Sequence, residues 1–367
     1  MRLKPDNSRT TRFGLETPRP ARPSVRGSTL AMFVGWSLLA PATWAATPPF
    51  TQVYAFGSEL TATSGGPYAN GRWCNGPVWV EHLSARLGLT YAPECNRASG
   101  GSDSARILSQ VIALPPPPQA ASALFVVMPG LLDFGRYVGE DLDDSFWNRE
   151  ITLMVDNTSK AVDRLYLKGA RRIGVVNLPD LTRFPQFNTL PDAERSYHRE
   201  KAVQHNAALE ARLRVFRERS PEATLWVIDF FHCLDFVLDH PTRFGLTRTD
   251  LAAWHDENLL DKSFDGPGSR YVFWDYVHPT SAVHALLAQT MEATILGSRV
   301  LIGPSDAGWA VTAERLRVGV SYQLERSDNL GSWAEVHLFD AASLRSPTFE
   351  VEARQPSAYY RLRTQPE

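Results

Sequence analysis

The chain has 367 residues, 43% of them apolar and 11% aromatic, which suits one large domain with a smaller companion and excludes global disorder. Thirty-eight basic residues against 40 acidic ones leave a net charge of −2, without the concentrated basic face that a nucleic-acid partner requires. Three cysteines are too few for a disulfide scaffold and lack zinc spacing; one bridge, Cys74–Cys95, would leave Cys233 over, and buried free thiols are the alternative.

Residues 1–28 are polar and basic, and an apolar run from Leu30 to Ala40 follows, with small residues at Thr43 and Ala45. This pattern predicts an export signal over residues 1–45, cut after Ala45, and therefore a secreted, periplasmic or cell-envelope protein. The run is too short, and too soon met by Pro41, to read as a membrane span; an uncleaved anchor is the alternative.

Val53 to Phe56 reads as a buried strand that breaks at Gly57 and delivers Ser58 and Glu59 to its end, where open α/β sheets present reactive groups. Trp79, Leu83 and Leu87 recur at helical spacing before Gly88. Gly100-Gly101 then offers backbone that a ligand can approach closely. A helix over 107–114 ends at four prolines, a strand over 123–128 runs into Gly130-Leu131-Leu132-Asp133, and helix 151–167, strand 172–178, helix 194–219 and strand 223–229 follow. Strands alternating with helices predict a parallel sheet covered on both faces.

Asp275 and His278 stand three residues apart, which lets the carboxylate hold the imidazole Nδ1–H and leave Nε2 facing a site. Pro279 suits the first turn of the helix carrying Val283, Leu286, Leu287 and Met291. From about Gly303 apolar and polar residues alternate in short runs, predicting a small antiparallel β-module over 304–367 with Tyr322, Trp333, Phe339 and Tyr359 in its core.

Together these blocks resemble the GDSL, or SGNH, ester-hydrolase family. Phe56-Gly57-Ser58-Glu59-Leu60 is similar to its Phe-Gly-Asp-Ser-Leu, with Ser58 in the aspartate's place and Glu59 in that of the nucleophilic serine. The run from Gly71 to Glu81 is similar to the segment that follows this block in bacterial members, and 96–101 to the family's Asn-Phe-Ala-x-Gly-Gly. Gly130 to Asp133 is similar to Gly-x-Asn-Asp, with Leu132 in the asparagine's place, and Asp275-x-x-His278-Pro279-Thr280 to the last block, here complete.

The resemblance covers residues 50–300 and implies a three-layer α/β/α, flavodoxin-like parallel sheet. It implies His278 as base, Asp275 as its orienter, backbone donors near Gly57 and Gly100 for an oxyanion, and no metal or cofactor. It further implies a small-molecule, glycan or lipid ester in the cleft. The β-module resembles C-terminal modules of secreted bacterial proteins, which implies a contact at the cell surface, and the chain is taken as a monomer. Losing the serine costs on the order of 10⁶ in turnover, and losing an oxyanion donor a further 10² to 10³, roughly.

The residues therefore predict an esterase scaffold with lost or impaired hydrolysis, in which Glu59 approaches His278 and holds it protonated. The alternative is an active ester hydrolase working through Ser58 or through water activated by Glu59 and His278. Strand alternation turns Ser58 away from His278. No Gly-x-Ser-x-Gly elbow offers another nucleophile.

Overall fold

The computed structural model describes residues 49–306, 308–351 and 358–365, so the expected export segment lies outside the described residues. The chain forms β1 (Val53–Phe56), α1 (Trp79–Arg86), α2 (Ser104–Ala113), β2 (Leu124–Val127), α3 (Leu131–Gly135), α4 (Asp144–Leu167), β3 (Arg172–Val176), α5 (Asp192–Arg219) and β4 (Thr224–Ile228). Next come α6 (Phe230–Asp239), β5 (Arg248–Ala252), β6 (Tyr271–Phe273) and α7 (Ser281–Leu296). Six further strands complete it: β7 (Arg299–Ser305), β8 (Gly308–Glu314), β9 (Ser321–Ser327), β10 (Ala334–Asp340), β11 (Thr348–Val351) and β12 (Tyr359–Thr364).

Strands β1 to β4 pair in parallel in chain order, with Val53 opposite Leu124, Phe125 opposite Ile173 and Val175 opposite Val227. Because strand side chains alternate, Val53, Ala55 and Val126 enter one core with Trp79, Leu234 and Leu287, while Phe56, Phe125 and Val127 enter another with Ile107, Val162 and Leu213. The result is the three-layer α/β/α arrangement. The outer place beside β1, which a flavodoxin-like order fills with a strand, holds a single parallel bridge from Ala55 to Asn96.

Helices start earlier than apolar periodicity indicates because polar caps lie ahead of the apolar residues. Asp103 accepts the N–H of Arg106 at 2.9 Å to open α2, and Asp143 accepts that of Phe146 at 2.8 Å to open α4. Helix α6 and strand β5 have no counterpart in the sequence expectation. In α6, Phe230, Phe231, Cys233, Leu234, Val237 and Leu238 are buried, and only His232, Asp235 and Asp239 mark the polar face of this short helix.

The β-module begins at Arg299 rather than near 304, because β7 pairs along its whole length with β8. It comprises two three-stranded antiparallel sheets, β11-β8-β7 and β10-β9-β12. Tyr322 is buried in its core and Phe339 packs against it, but Tyr359 is 42% exposed and Trp333 lies under Arg361 at 4.1 Å, so only part of the expected aromatic core forms. The described residues belong to one compact unit. Gly319 (φ +80°) packs so closely on Phe236 that a Cβ there would lie 2.8 Å from it, and Gln289 donates to the carbonyls of Leu316 and Ser343 at 3.0 and 3.2 Å.

The expected Cys74–Cys95 bridge is absent: all three cysteines are free and buried. The Cys74 thiol donates to the Gly76 carbonyl at 3.3 Å, and Cys233 accepts from the Thr290 hydroxyl at 3.5 Å.

Candidate active site

The loop leaving β1 is set by a close approach at Gly57, where a Cβ would lie 2.5 Å from Thr61 Oγ1. The N–H groups of Thr61 and Ala62 both donate to the Ser58 carbonyl at 3.0 Å, which turns the chain at once. Gln110 on α2 accepts the Gly57 N–H at 3.1 Å and donates to the Gly57 carbonyl at 3.0 Å. The Gly57 N–H, expected near an oxyanion, is thus held by a side chain instead.

The 96–101 segment lies along this strand end through Arg97 N–H to Ala55 O at 2.8 Å and Ser99 N–H to Gly57 O at 3.3 Å. Asn96 Nδ2 donates to Thr61 O at 2.7 Å. These bonds place Gly101 against Glu59, whose carboxylate accepts the Gly101 N–H. Among the described residues the N–H groups of Glu59 and Gly100 donate to no protein acceptor.

The run from Gly71 to Glu81 is anchored at both ends. Arg72 pairs with Glu81, whose Oε2 also accepts the Val78 N–H at 2.9 Å at the start of α1. Asn75 donates to Phe264 O and accepts the Ser281 N–H, each at 2.8 Å, tying the run to the first turn of α7. Trp73 is thereby laid over Gly100, where a Cβ would lie 2.5 Å from its ring, and beside His278, with ring centroids 5.5 Å apart.

Asp275 and His278 form the dyad that their spacing predicts. Both carboxylate oxygens lie 2.8 Å from Nδ1, and Asp275 Oδ1 also accepts the N–H groups of Val277 and His278 at 3.0 and 2.9 Å. Burial works to raise the Asp275 carboxyl, but the His278 hydrogen bond and charge and these two N–H groups outweigh it and hold the group below its ordinary value. The ring is thereby turned so that Nε2 faces away from Asp275. Tyr68 stands behind the pair, its phenol pushed up to about 12 by burial and then by the Asp275 charge.

A cavity of about 440 Å³ lies in front of the imidazole, lined by Glu59, Trp73 and His278 at one end and by Leu132, Leu181 and Phe187 among its apolar walls. Glu59, Leu132 and His278 all line this one cavity. Ser58 is not part of it; its hydroxyl is buried with no hydrogen-bond partner among the described residues. Glu59 does not hold His278 as expected, since no ion pair joins them among the described residues. The Gly101 N–H lies nearer the strand end and captures the carboxylate, while Asp275 fixes the ring from the other side.

Chemically, the site holds an oriented base with no hydroxyl bonded to it among the described residues. Cys74 is no substitute nucleophile, because burial pushes its thiol up to about 12. Leu132 occupies the first turn of α3 behind Gly130 (φ +87°) and presents hydrocarbon to the cavity. The neighbouring Asp133 faces elsewhere, accepting the Ser104 N–H and hydroxyl at 2.7 and 2.9 Å. Among the described residues no group of three or more His, Cys, Asp or Glu is arranged to hold a metal ion.

Sequence reasoning assigns no role to Trp73, Gln110, Tyr68 or the wall formed by residues 181–187. Trp73 sits inside the run of residues most similar to the family, which is the signal that marks it. Gln110 carries a weaker one, a polar residue next to Val111 and three after Ile107, the two buried apolar positions of α2.

The sequence profile of the family GDSL-like Lipase/Acylhydrolase matches residues 53–291. The chain is 26% identical over 308 residues to the phosphatidylcholine-sterol acyltransferase of Aeromonas hydrophila, covering 66% of this chain and 89% of that protein. It is 25% identical over 248 residues to the thermolabile hemolysin of Vibrio parahaemolyticus, covering 60% of this chain and 55% of the hemolysin. Among solved structures it aligns with the acetylxylan esterase Axe2 of Geobacillus stearothermophilus at 14% identity and a TM-score of 0.41, covering 68% of this chain and 96% of that one. The profile match spans every block that surrounds the cavity, and the chain belongs to the GDSL-like lipase/acylhydrolase family.

Proposed function

We propose that this family member has lost ordinary ester hydrolysis and keeps the cleft as a binding site for an apolar ligand, in a protein exported through its first 45 residues. The observation that carries the reading is the pairing of the Glu59 carboxylate with the Gly101 N–H, at the strand end where the family has its serine, while His278 bonds to no hydroxyl among the described residues. Acyl transfer needs a nucleophile armed by the base and donors for the oxyanion. Here the nucleophile position carries a carboxylate already engaged with backbone, and Leu132 offers no donor. The cavity and the Asp275–His278 dyad remain, and apolar walls of this size suit a hydrocarbon chain or a flat apolar molecule.

The second reading, hydrolysis by water activated between Glu59 and His278, is favoured by one observation: both side chains line the same cavity. The double change Glu59→Ser with Leu132→Asn separates the two. Under the first reading it creates turnover of p-nitrophenyl acetate that His278→Ala abolishes. Under the second it lowers an activity that the unaltered protein already has. Continued inertness of the double variant would count against an intact catalytic scaffold.

A further inference from the structure

A second cavity, of about 670 Å³, shares a wall with the first. Phe184, Gln186 and Val277 face the apolar cavity, while Pro185, Asn188 and Tyr276 face the second, and the Gln186 N–H donates to the Tyr276 carbonyl at 3.1 Å to close the partition. The Arg and Asp side chains around this cleft are answered within the protein. Arg183 pairs with Asp235 and Asp239 at 3.0 and 2.6 Å, Arg195 with Asp192, and Asp250 with Arg248 at 3.0 Å.

What the cleft offers is therefore hydrogen bonding without a demand for charge, beside an aromatic surface. Thr189 and Thr249 line it, and so does Arg195, whose Nε–H is buried without a partner among the described residues. Tyr276 is 45% exposed and stacked on His255 with ring centroids 4.0 Å apart and planes 6° from parallel. An ionic ligand would have to displace an internal ion pair, and a hydrocarbon tail would strand the polar groups.

We propose that this cleft binds a neutral saccharide ring, its C–H face against the Tyr276–His255 pair and its hydroxyls toward Thr189, Thr249 and the exposed part of the Arg195 guanidinium. The proposal rests on the ligand-binding reading above in one respect: an apolar substituent on the sugar would pass the partition into the cavity at His278.

The test is calorimetric titration of the full chain with octyl β-glucoside below its micellar concentration, and separately with 1-octanol. The glucoside binds about tenfold more tightly than the alcohol, and Tyr276→Ala removes about that factor without changing octanol binding. Arg195→Gln, a change at a partly exposed helix position, weakens the glucoside alone and guards against a folding defect in the first variant. Equal affinities for the two probes, glucoside binding unmoved by both variants, or no glucoside binding would overturn the proposal. Glucoside binding that depends on Tyr276 without any octanol binding would support the cleft and sink the apolar site. Ester turnover dependent on His278 would sink the loss of catalysis and leave the cleft standing.

Discussion

The carboxylate of Glu59 accepts the backbone N–H of Gly101, joining the loop after β1 to the paired glycines of the 96–101 segment. Glu59→Ala removes the acceptor and leaves a half-buried N–H unanswered, a change that costs about 1–3 kcal/mol. Glu59→Gln retains an acceptor oxygen and loses less. Thermal unfolding followed by circular dichroism orders the three proteins, and identical midpoints for Ala, Gln and unaltered chain would show that the bond does not hold the loop.

Gly100 lies under Trp73 with no room for a methyl group, its Cβ position 2.5 Å from Cζ2 and 3.0 Å from Cε2 of the indole. Gly100→Ala forces the ring away from both the glycine and His278, with an overpacking cost of about 1–3 kcal/mol. Indole fluorescence shifts and octanol affinity falls if Trp73 forms the cavity's roof. An Ala variant with unchanged emission and binding would place the ring elsewhere.

Two buried histidines make the fold acid-sensitive. Burial lowers His205 to about 4 and His284 to about 3, the second helped by the charges of His82 and His278. Their unfolded value is roughly 6.5, so below that pH the unfolded chain binds protons that the folded chain refuses. Stability is therefore full above about pH 6.5 and declines as pH falls through the window down to the folded values. Urea midpoints at pH 7 and pH 5 measure the slope, and His205→Leu flattens it. A variant as acid-sensitive as the unaltered chain would mean that the ring is not held neutral.

The parallel sheet is legible because short runs such as 123–128 and 173–176, free of charged and polar side chains, lie between helical periods. The dyad is legible because Asp275 and His278 stand in a block that resembles the family's last one; the three-residue spacing alone would equally suit a structural ion pair, and Pro279 lies just ahead of the Thr280 cap of α7 rather than in its first turn. Glu59 is only half legible. Its place at the strand end follows from the strand and Gly57, but its partner is decided by which donor lies nearest, and a backbone N–H reaches it where charge alone would choose His278. The cavity wall is not legible at all, because Leu181 and Phe184 meet His278 only after a turn held by Asp180, which accepts the Thr182 N–H and hydroxyl at 3.0 and 2.7 Å. Helix α6 escapes because it is short and follows β4 directly, its polar face being only His232, Asp235 and Asp239.

The most direct measurement is turnover of p-nitrophenyl butyrate by the purified chain beside its His278→Ala variant. A site whose imidazole has no hydroxyl to activate gives the same residual rate in both proteins, on the order of 10⁶ below a serine esterase. Turnover well above that residual rate in the unaltered chain, and lost in His278→Ala, would contradict the account and return the cleft to catalysis.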